Sequence, residues 1–181
     1  MTPLAERHFI PARRADARNA LAARPCRLAL VSDTHGLLRP GAEAFLRGAH
    51  RIVHGGDIGP EDLLMRLRAL APLVAVRGNN DREPWAASLR EREQFAVHGV
   101  GILVLHDRAQ LRGQPLPSDV DVIVSGHSHR PSLDEVEGRL YVNPGSAGPR
   151  RFSLPVSVAE LLIAPDGVTA RLFALDLGAV T

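Results

Sequence analysis

Five apolar runs in this chain end in side chains that can hold a cation. LALVS runs into Asp33, Thr34 and His35; RIVHGG into Asp57; LVAVRG into Asn79; GILVL into His106; and VIVSG into His127, Ser128 and His129. Carboxylate, amide and imidazole are hard to borderline donors, and no thiolate is among them. That set suits manganese best, with iron, nickel and zinc as alternatives. Asp33, His35, Asp57, Asn79, His106, His127 and His129 together exceed what one ion takes from a protein, but they suit two ions that share a carboxylate. Two divalent cations offset by two aspartates and a shared hydroxide leave a centre of about +1, which attracts an anionic phosphate ester. Paired cations also acidify the water between them and hold attacking and leaving oxygens in line, so phosphoester hydrolysis is the chemistry these donors favour.

For these donors to meet, the runs must lie side by side with their C-terminal ends at one edge, as parallel strands in an α/β sheet do. Leu28 to Val31 is too short for an isolated helix and reads as a strand buried on both faces. After Asp33, helical and extended patterns alternate. Gly41 to Gly48 predicts a short helix, and Arg51 to His54 a strand. Leu63, Leu64, Leu67 and Leu70 share one helical face between Glu61 and Leu70, and Leu73 to Val76 is the next strand. Pro84 to Leu89 predicts one more short helix. From Gln94 onwards strands follow one another without helices, beginning with a hairpin at His98-Gly99, which implies a second sheet packed on the first. Glycines at 55, 56, 78 and 126 flank the donors, where the backbone must turn sharply.

With 181 residues, 45% of them apolar and 23% charged, the chain has the makeup of a single globular domain. We expect residues 1–25 to form a basic N-terminal extension, with a short helix over Ala12 to Ala23, and residues 26–181 to form the domain. All 22 basic residues are arginine, for a net charge of only +2. Basicity of this kind is no argument for nucleic acid, and 4% aromatic residues are too few for a stacking platform along a single strand. The absence of lysine excludes a P-loop nucleotide-binding site. No apolar stretch is long enough to span a membrane, and the single cysteine, Cys26, fits a reducing, cytoplasmic setting. The sequence leaves homo-oligomerisation open.

The ordered series DTH, GGD, GNND, a strand-ending LH, GHSH and NPGS resembles that of the calcineurin-like metallophosphoesterases, specifically the small YfcE-type phosphodiesterases. The resemblance runs from Arg27 to the C-terminus. It implies a two-sheet sandwich flanked by helices, a four-layer α/β/β/α arrangement, and a dinuclear centre that hydrolyses small phosphodiesters or nucleotides through a metal-bridging hydroxide. By the same resemblance Asp33, His35, Asp57 and His129 would hold the first ion, and Asp57, Asn79, His106 and His127 the second. Asp57, Asn79 and His35 would then take part in catalysis. Two departures stand out. Asn80 occupies the position where many relatives carry a histidine that protonates the leaving group, and an amide cannot do so at neutral pH. Asp107-Arg108 replaces the usual Gly-His after the first histidine. Asn80, Arg108 and Arg150 are candidate substrate-binding residues, with Arg151 beside them. Two other readings are weighed: a phosphomonoesterase of the same fold, and a non-catalytic binding scaffold like the retromer subunit Vps29, which is natural when ligands are missing. His54 reads as a structural histidine within a strand, and His50 and His98 as solvent-facing.

Overall fold

The computed structural model describes residues 1–4, 7–11 and 24–176, so the helix expected over Ala12 to Ala23 lies outside the described residues. The strands are β1 (Thr2–Pro3), β2 (His8–Pro11), β3 (Cys26–Val31), β4 (Arg51–His54), β5 (Leu73–Ala75), β6 (Arg92–Val97), β7 (Val100–Leu105), β8 (Val122–Val124), β9 (Ser132–Val136), β10 (Arg139–Asn143), β11 (Ser157–Ala164) and β12 (Gly167–Ala174). Two α-helices, α1 (Pro40–Leu46) and α2 (Glu61–Leu70), connect β3, β4 and β5.

These strands make two sheets. The first runs β1-β12-β11-β3-β4-β5, with β2 also paired to β12, and the second runs β6-β7-β8-β10-β9. At the heart of each lies a parallel trio, β3-β4-β5 in the first and β7-β8-β10 in the second. The parallel trios are joined by crossovers, which is why all their C-terminal ends open on one edge.

The pattern of β3 shows how the layers form. Leu28 and Leu30 face the second sheet and pack in the inter-sheet core with Val53, Ile102, Val104, Val122, Val124 and Val142. Ala29 and Val31 face the other way, towards Phe45 and Leu46 of α1 and Leu63, Leu64 and Leu67 of α2. A strand covered on both faces reads as an unbroken apolar run, as the sequence does. The outer face of the second sheet presents Leu103, Leu105 and Ile123 to Leu111 and Leu116. A single 3-10 turn, Arg108–Leu111, begins that cover in place of an α-helix.

The helices differ slightly from expectation. α1 begins at Pro40, whose fixed φ and missing N–H suit a first turn. The segment expected to be helical after Pro84 is a 3-10 turn over Pro84–Ser88 with no side-chain cap, too short to repay helix nucleation. Two short strands ahead of Cys26 join the sheet: β1 and β2 pair antiparallel with β12, and His8 on β2 lies 3.0 Å from Glu135 of the second sheet. Cys26 opens β3, and burial pushes its thiol pKa up, so little of it is thiolate at neutral pH. None of the helices is long and apolar enough to cross a membrane, as far as the described residues go.

Candidate metal centre

The turns at the C-terminal ends of the parallel strands hold their donors in a costly backbone conformation. Asp33, His35, Asp57, His127 and His129 have φ of 54°, 44°, 56°, 65° and 57°, the left-handed region that residues with a Cβ seldom occupy. Such strain persists only where the surroundings over-determine it. Here the turns are laced to one another: Asp33 N–H donates to Gly56 O at 3.0 Å, His35 N–H to Asp57 O at 3.0 Å, and His127 N–H to Asp33 Oδ2 at 3.1 Å. Two glycines make the approach possible. A Cβ at Gly78 would lie 2.1 Å from Asp57 Oδ1, and one at Gly126 would lie 1.9 Å from Ser32 Oγ.

All seven donors singled out in the sequence come together at this edge, in two overlapping groups. Donor atoms of Asp33, His35 and His129 lie within 4.8 Å of one another, as do those of Asp33, Asp57 and His106. Asn79 Oδ1 stands 2.9 Å from His106 Nε2 and 3.0 Å from His127 Nδ1. Asp33 belongs to both groups, and Asp57 of the second also reaches towards the first, its Oδ2 being 3.9 Å from His35 Nε2 and 3.5 Å from His106 Nε2.

Two observations show that this set fits divalent cations. First, among the described residues the buried side-chain polar atoms without a hydrogen-bond partner are Asp33 Oδ1, His35 Nε2 and His129 Nδ1, all in the first group. Buried polar atoms are nearly always satisfied, and a cation beside Asp33 Oδ1 and His35 Nε2 would satisfy those two, with His129 Nε2 also 3.2 Å from Asp33 Oδ1. Second, His106 Nδ1 lies 2.7 Å from Gly55 O, a carbonyl that can only accept, so Nδ1 carries the proton and neutral His106 turns a bare Nε2 lone pair inwards. That lone pair faces the oxygen lone pairs of Asn79 and Asp57. Donor atoms meeting lone pair to lone pair repel unless a positive charge sits among them.

The electrostatics follow from the same arrangement. When His106 is protonated its Nε2 also carries a hydrogen, and that N–H, with the backbone and side chain of Asn80, outweighs the burial that would raise the pKa of Asp57 and holds the carboxyl well below its usual range. Burial works to lower the pKa of His106, but Asp57 and the Gly55 carbonyl prevail and raise it. His35 ends below its ordinary value, chiefly through burial, with Asp57 and Asp33 opposing.

Three residues that sequence reasoning left out of the site support it. Asp81, 5% exposed, accepts hydrogen bonds from the N–H groups of Asp57 (2.9 Å), Ile58 (2.8 Å), Gly59 (3.3 Å) and Gly78 (2.8 Å). Its place in the Asn-Asn-Asp run was the available signal. Asn143 of the NPGS turn donates to Gly126 O at 2.7 Å and Ser128 Oγ at 3.0 Å, fixing the turn that carries His127 and His129. His54, fully buried, accepts from Gly56 N–H at 3.1 Å through Nδ1. Its Nε2–H then donates to Thr34 Oγ1 at 2.9 Å, and that hydroxyl donates to Ile58 O.

His54 yields a pH prediction. Burial, opposed by Asp81 and Asp33, pushes its pKa from 6.5 down to about 4. A pKa lowered on folding means the unfolded chain takes up the proton first. The stability is therefore whole above pH 6.5 and lost as pH falls towards 4, by about 3 kcal/mol from this group. His54→Gln should be less stable at pH 8 by about 1–2 kcal/mol, through weaker hydrogen bonds, but should lose less on acidification. Urea unfolding of both proteins across this range checks it; a stability gap that does not change with pH contradicts a neutral buried His54.

The candidate substrate residues are placed differently. Asn80 turns onto Asp57, its backbone N–H reaching Oδ1 at 2.8 Å and its amide reaching Oδ2 at 2.6 Å. Arg108 stacks on Tyr141, 4.1 Å from the ring centroid, and pairs with Asp134 at 3.0 Å, at the wall of a cleft of about 160 Å³ beside His127. Arg150 is exposed.

The calcineurin-like phosphoesterase superfamily domain matches residues 26–164. A probable metallophosphoesterase of Methanothermobacter thermautotrophicus is 34% identical over 158 residues, covering 80% of this chain and 90% of its own. Phosphodiesterase YfcE of Escherichia coli is 30% identical over 167 residues, covering 75% of this chain and 86% of its own. The structure of Vacuolar Protein Sorting 29 from Cryptosporidium parvum superposes with a TM-score of 0.73 at 17% identity, covering 86% of this chain and 94% of that one, a likeness of fold. The sequence match, the relatives and the edge of clustered donors agree that this chain belongs to the calcineurin-like phosphoesterase superfamily.

Proposed function

We propose that the protein is a dinuclear metal-dependent phosphodiesterase of the YfcE type, acting on small phosphodiesters in a reducing, cytoplasmic setting. The observation that carries this reading is the convergence of two donor groups on Asp33 and Asp57, with buried atoms of Asp33, His35 and His129 left without a hydrogen-bond partner. Asp33, His35 and His129 would hold one ion, and Asn79, His106 and His127 the other, with Asp57 shared. Manganese is the expected metal for donors of this hardness. Paired divalent cations, when bound, acidify water and neutralise charge building on a phosphoryl group.

The chain's own residues then bind and orient. One substituent of the ester lies in the cleft beside His127, under Arg108. His35 and Asn79 border the space where the phosphoryl oxygens sit, and they stabilise charge there. Asn80 supplies no proton to the leaving group, so esters with good leaving groups are favoured.

The test is hydrolysis of bis(p-nitrophenyl) phosphate by protein stripped with chelator and reloaded. Activity should vanish on stripping and return with manganese, at two ions per chain. Faster turnover of p-nitrophenyl phosphate would make it a phosphomonoesterase instead. No turnover with manganese, iron, nickel or zinc, together with a stable protein partner, would favour a binding scaffold, the reading that the Vps29 likeness of fold keeps open.

A further inference from the structure

Among the described residues, non-glycine residues with left-handed φ fall into three groups. Five are the candidate metal ligands above, two are His98 and Glu137 at hairpin tips before a glycine, and one is Phe152, with φ of 53°. Hairpin tips demand that conformation and the ligand turns are laced together, but neither reason covers Phe152. It occupies the second position of a turn closed by Leu154 N–H donating to Arg151 O at 3.1 Å, a position that glycine or asparagine fills at far lower cost. The turn also leaves the phenyl ring 92% exposed, while the next most exposed large apolar residue among those described, Met1, is at 56%. A strained backbone and a bare aromatic ring at one residue both work against stability, so a ligand is the natural reason for them.

The loop that carries this turn is anchored beside the candidate metal centre. Ser146 Oγ donates to Asp33 O at 2.9 Å, and Ala147 N–H donates to Ser32 O at 3.0 Å. Gly148 packs so closely that a Cβ there would lie 2.1 Å from Thr34 O, and Ser157 N–H returns to Ser146 O at 2.9 Å. Both ends of the loop are thus tied down next to Asp33. Arg150 and Arg151, both exposed, form no ion pair among the described residues, unlike Arg108, which Asp134 neutralises. The positive charge of Arg151 is felt at His35.

We propose that Arg151 and Phe152 form a substrate-reading arm, Arg151 pairing with the phosphate of the ester and Phe152 stacking on a nucleobase that the ester carries. The preferred substrates are then nucleotide phosphodiesters, a refinement that rests on the phosphodiesterase reading above. A planar base suits the face of a bare ring, and a guanidinium one residue away suits the phosphate attached to it.

The experiment compares two esters that release the same nitrophenolate, thymidine 5′-(p-nitrophenyl phosphate) and methyl p-nitrophenyl phosphate, with the manganese-loaded full chain. The wild type should favour the thymidine ester in kcat/KM by about 10-fold, within what stacking of one base on one ring contributes. Phe152→Ala should erase that ratio through KM, Phe152→Trp should keep it, and Arg151→Gln should lower kcat/KM for both esters. A ratio unmoved by Phe152→Ala overturns the arm, as does capture of a protein partner that Phe152→Ala abolishes while the ratio stays. If neither ester is cleaved, the phosphodiesterase reading fails by itself. The arm is then judged by the emission of Phe152→Trp on titration with thymidine 5′-monophosphate: quenching by the nucleotide but not by methyl phosphate upholds it, and equal or no quenching overturns it.

Discussion

Asp57→Asn is expected to reduce phosphodiester turnover by at least about 100-fold while the protein still folds, because it removes the carboxylate charge that stands within 3.9 Å of both His35 and His106 and is proposed to be shared by two ions. The substitution keeps the shape of the side chain and its place in the left-handed turn. What changes is the charge and the hydrogen-bonding sense. Asn80 donates to both oxygens of Asp57. An amide in place of the carboxylate turns an N–H₂ group towards one of these donors, so Asn80 must shift as well. Either ion site then loses a negative ligand within reach of His35 or His106. Metal analysis of the purified variant should give one ion or fewer per chain. Near-wild-type turnover with two ions bound would overturn the bridging role of Asp57.

The sequence displays the strands and the donors more plainly than the means of holding them. β3, β4, β5, β7 and β8 are legible because a strand buried on both faces leaves an unbroken apolar run, and each donor stands where such a run stops. The Leu63, Leu64 and Leu67 face of α2 is legible for the same reason, since burial imposes its period on the sequence. Sheet order is another matter. That β11 inserts between β3 and β12, bringing Ser146 beside Asp33, depends on a long-range pairing with no local trace. Nor does local pattern reveal the pairing of β2 with β12, since four residues ahead of an arginine-rich stretch look like any loop.

Within the site, metal donors stand out by type, whereas supporting groups do not. His54 in the RIVH run carries no mark of its hydrogen bond to Thr34, which becomes visible only when β3 and β4 are set in parallel register with Val31 opposite His54. Asn143 sits in a Pro-Gly turn that would form for local reasons alone, and its clamp on the 126–129 turn crosses between loops. The left-handed φ of Asp57 and its fellow donors is equally silent, because the residues that tolerate it locally are also common ligands.

Asp81→Ala is expected to destabilise the metal-free protein by about 3 kcal/mol or more and to weaken manganese binding by about 10- to 100-fold, although Asp81 touches no proposed ion. Its carboxylate is the common acceptor for four N–H groups on two loops, and these include the N–H of Asp57 itself. Removing it leaves several buried donors unpaired and withdraws what keeps Asp57 in its strained turn. Asp81→Asn should fall between, since one oxygen still accepts while the new N–H₂ group faces other donors. Thermal unfolding gives the first effect and manganese titration the second. The decisive comparison is with Asp57→Asn. A residue that only positions a ligand is rescued by mass action, so excess manganese should restore much of the turnover of Asp81→Asn, with kcat recovering as the sites fill. The same excess should do little for Asp57→Asn, in which a shared ligand itself is gone. Rescue of both to the same degree would place Asp57 among the supporting groups, and rescue of neither would give Asp81 a part in the reaction that its hydrogen bonds do not suggest.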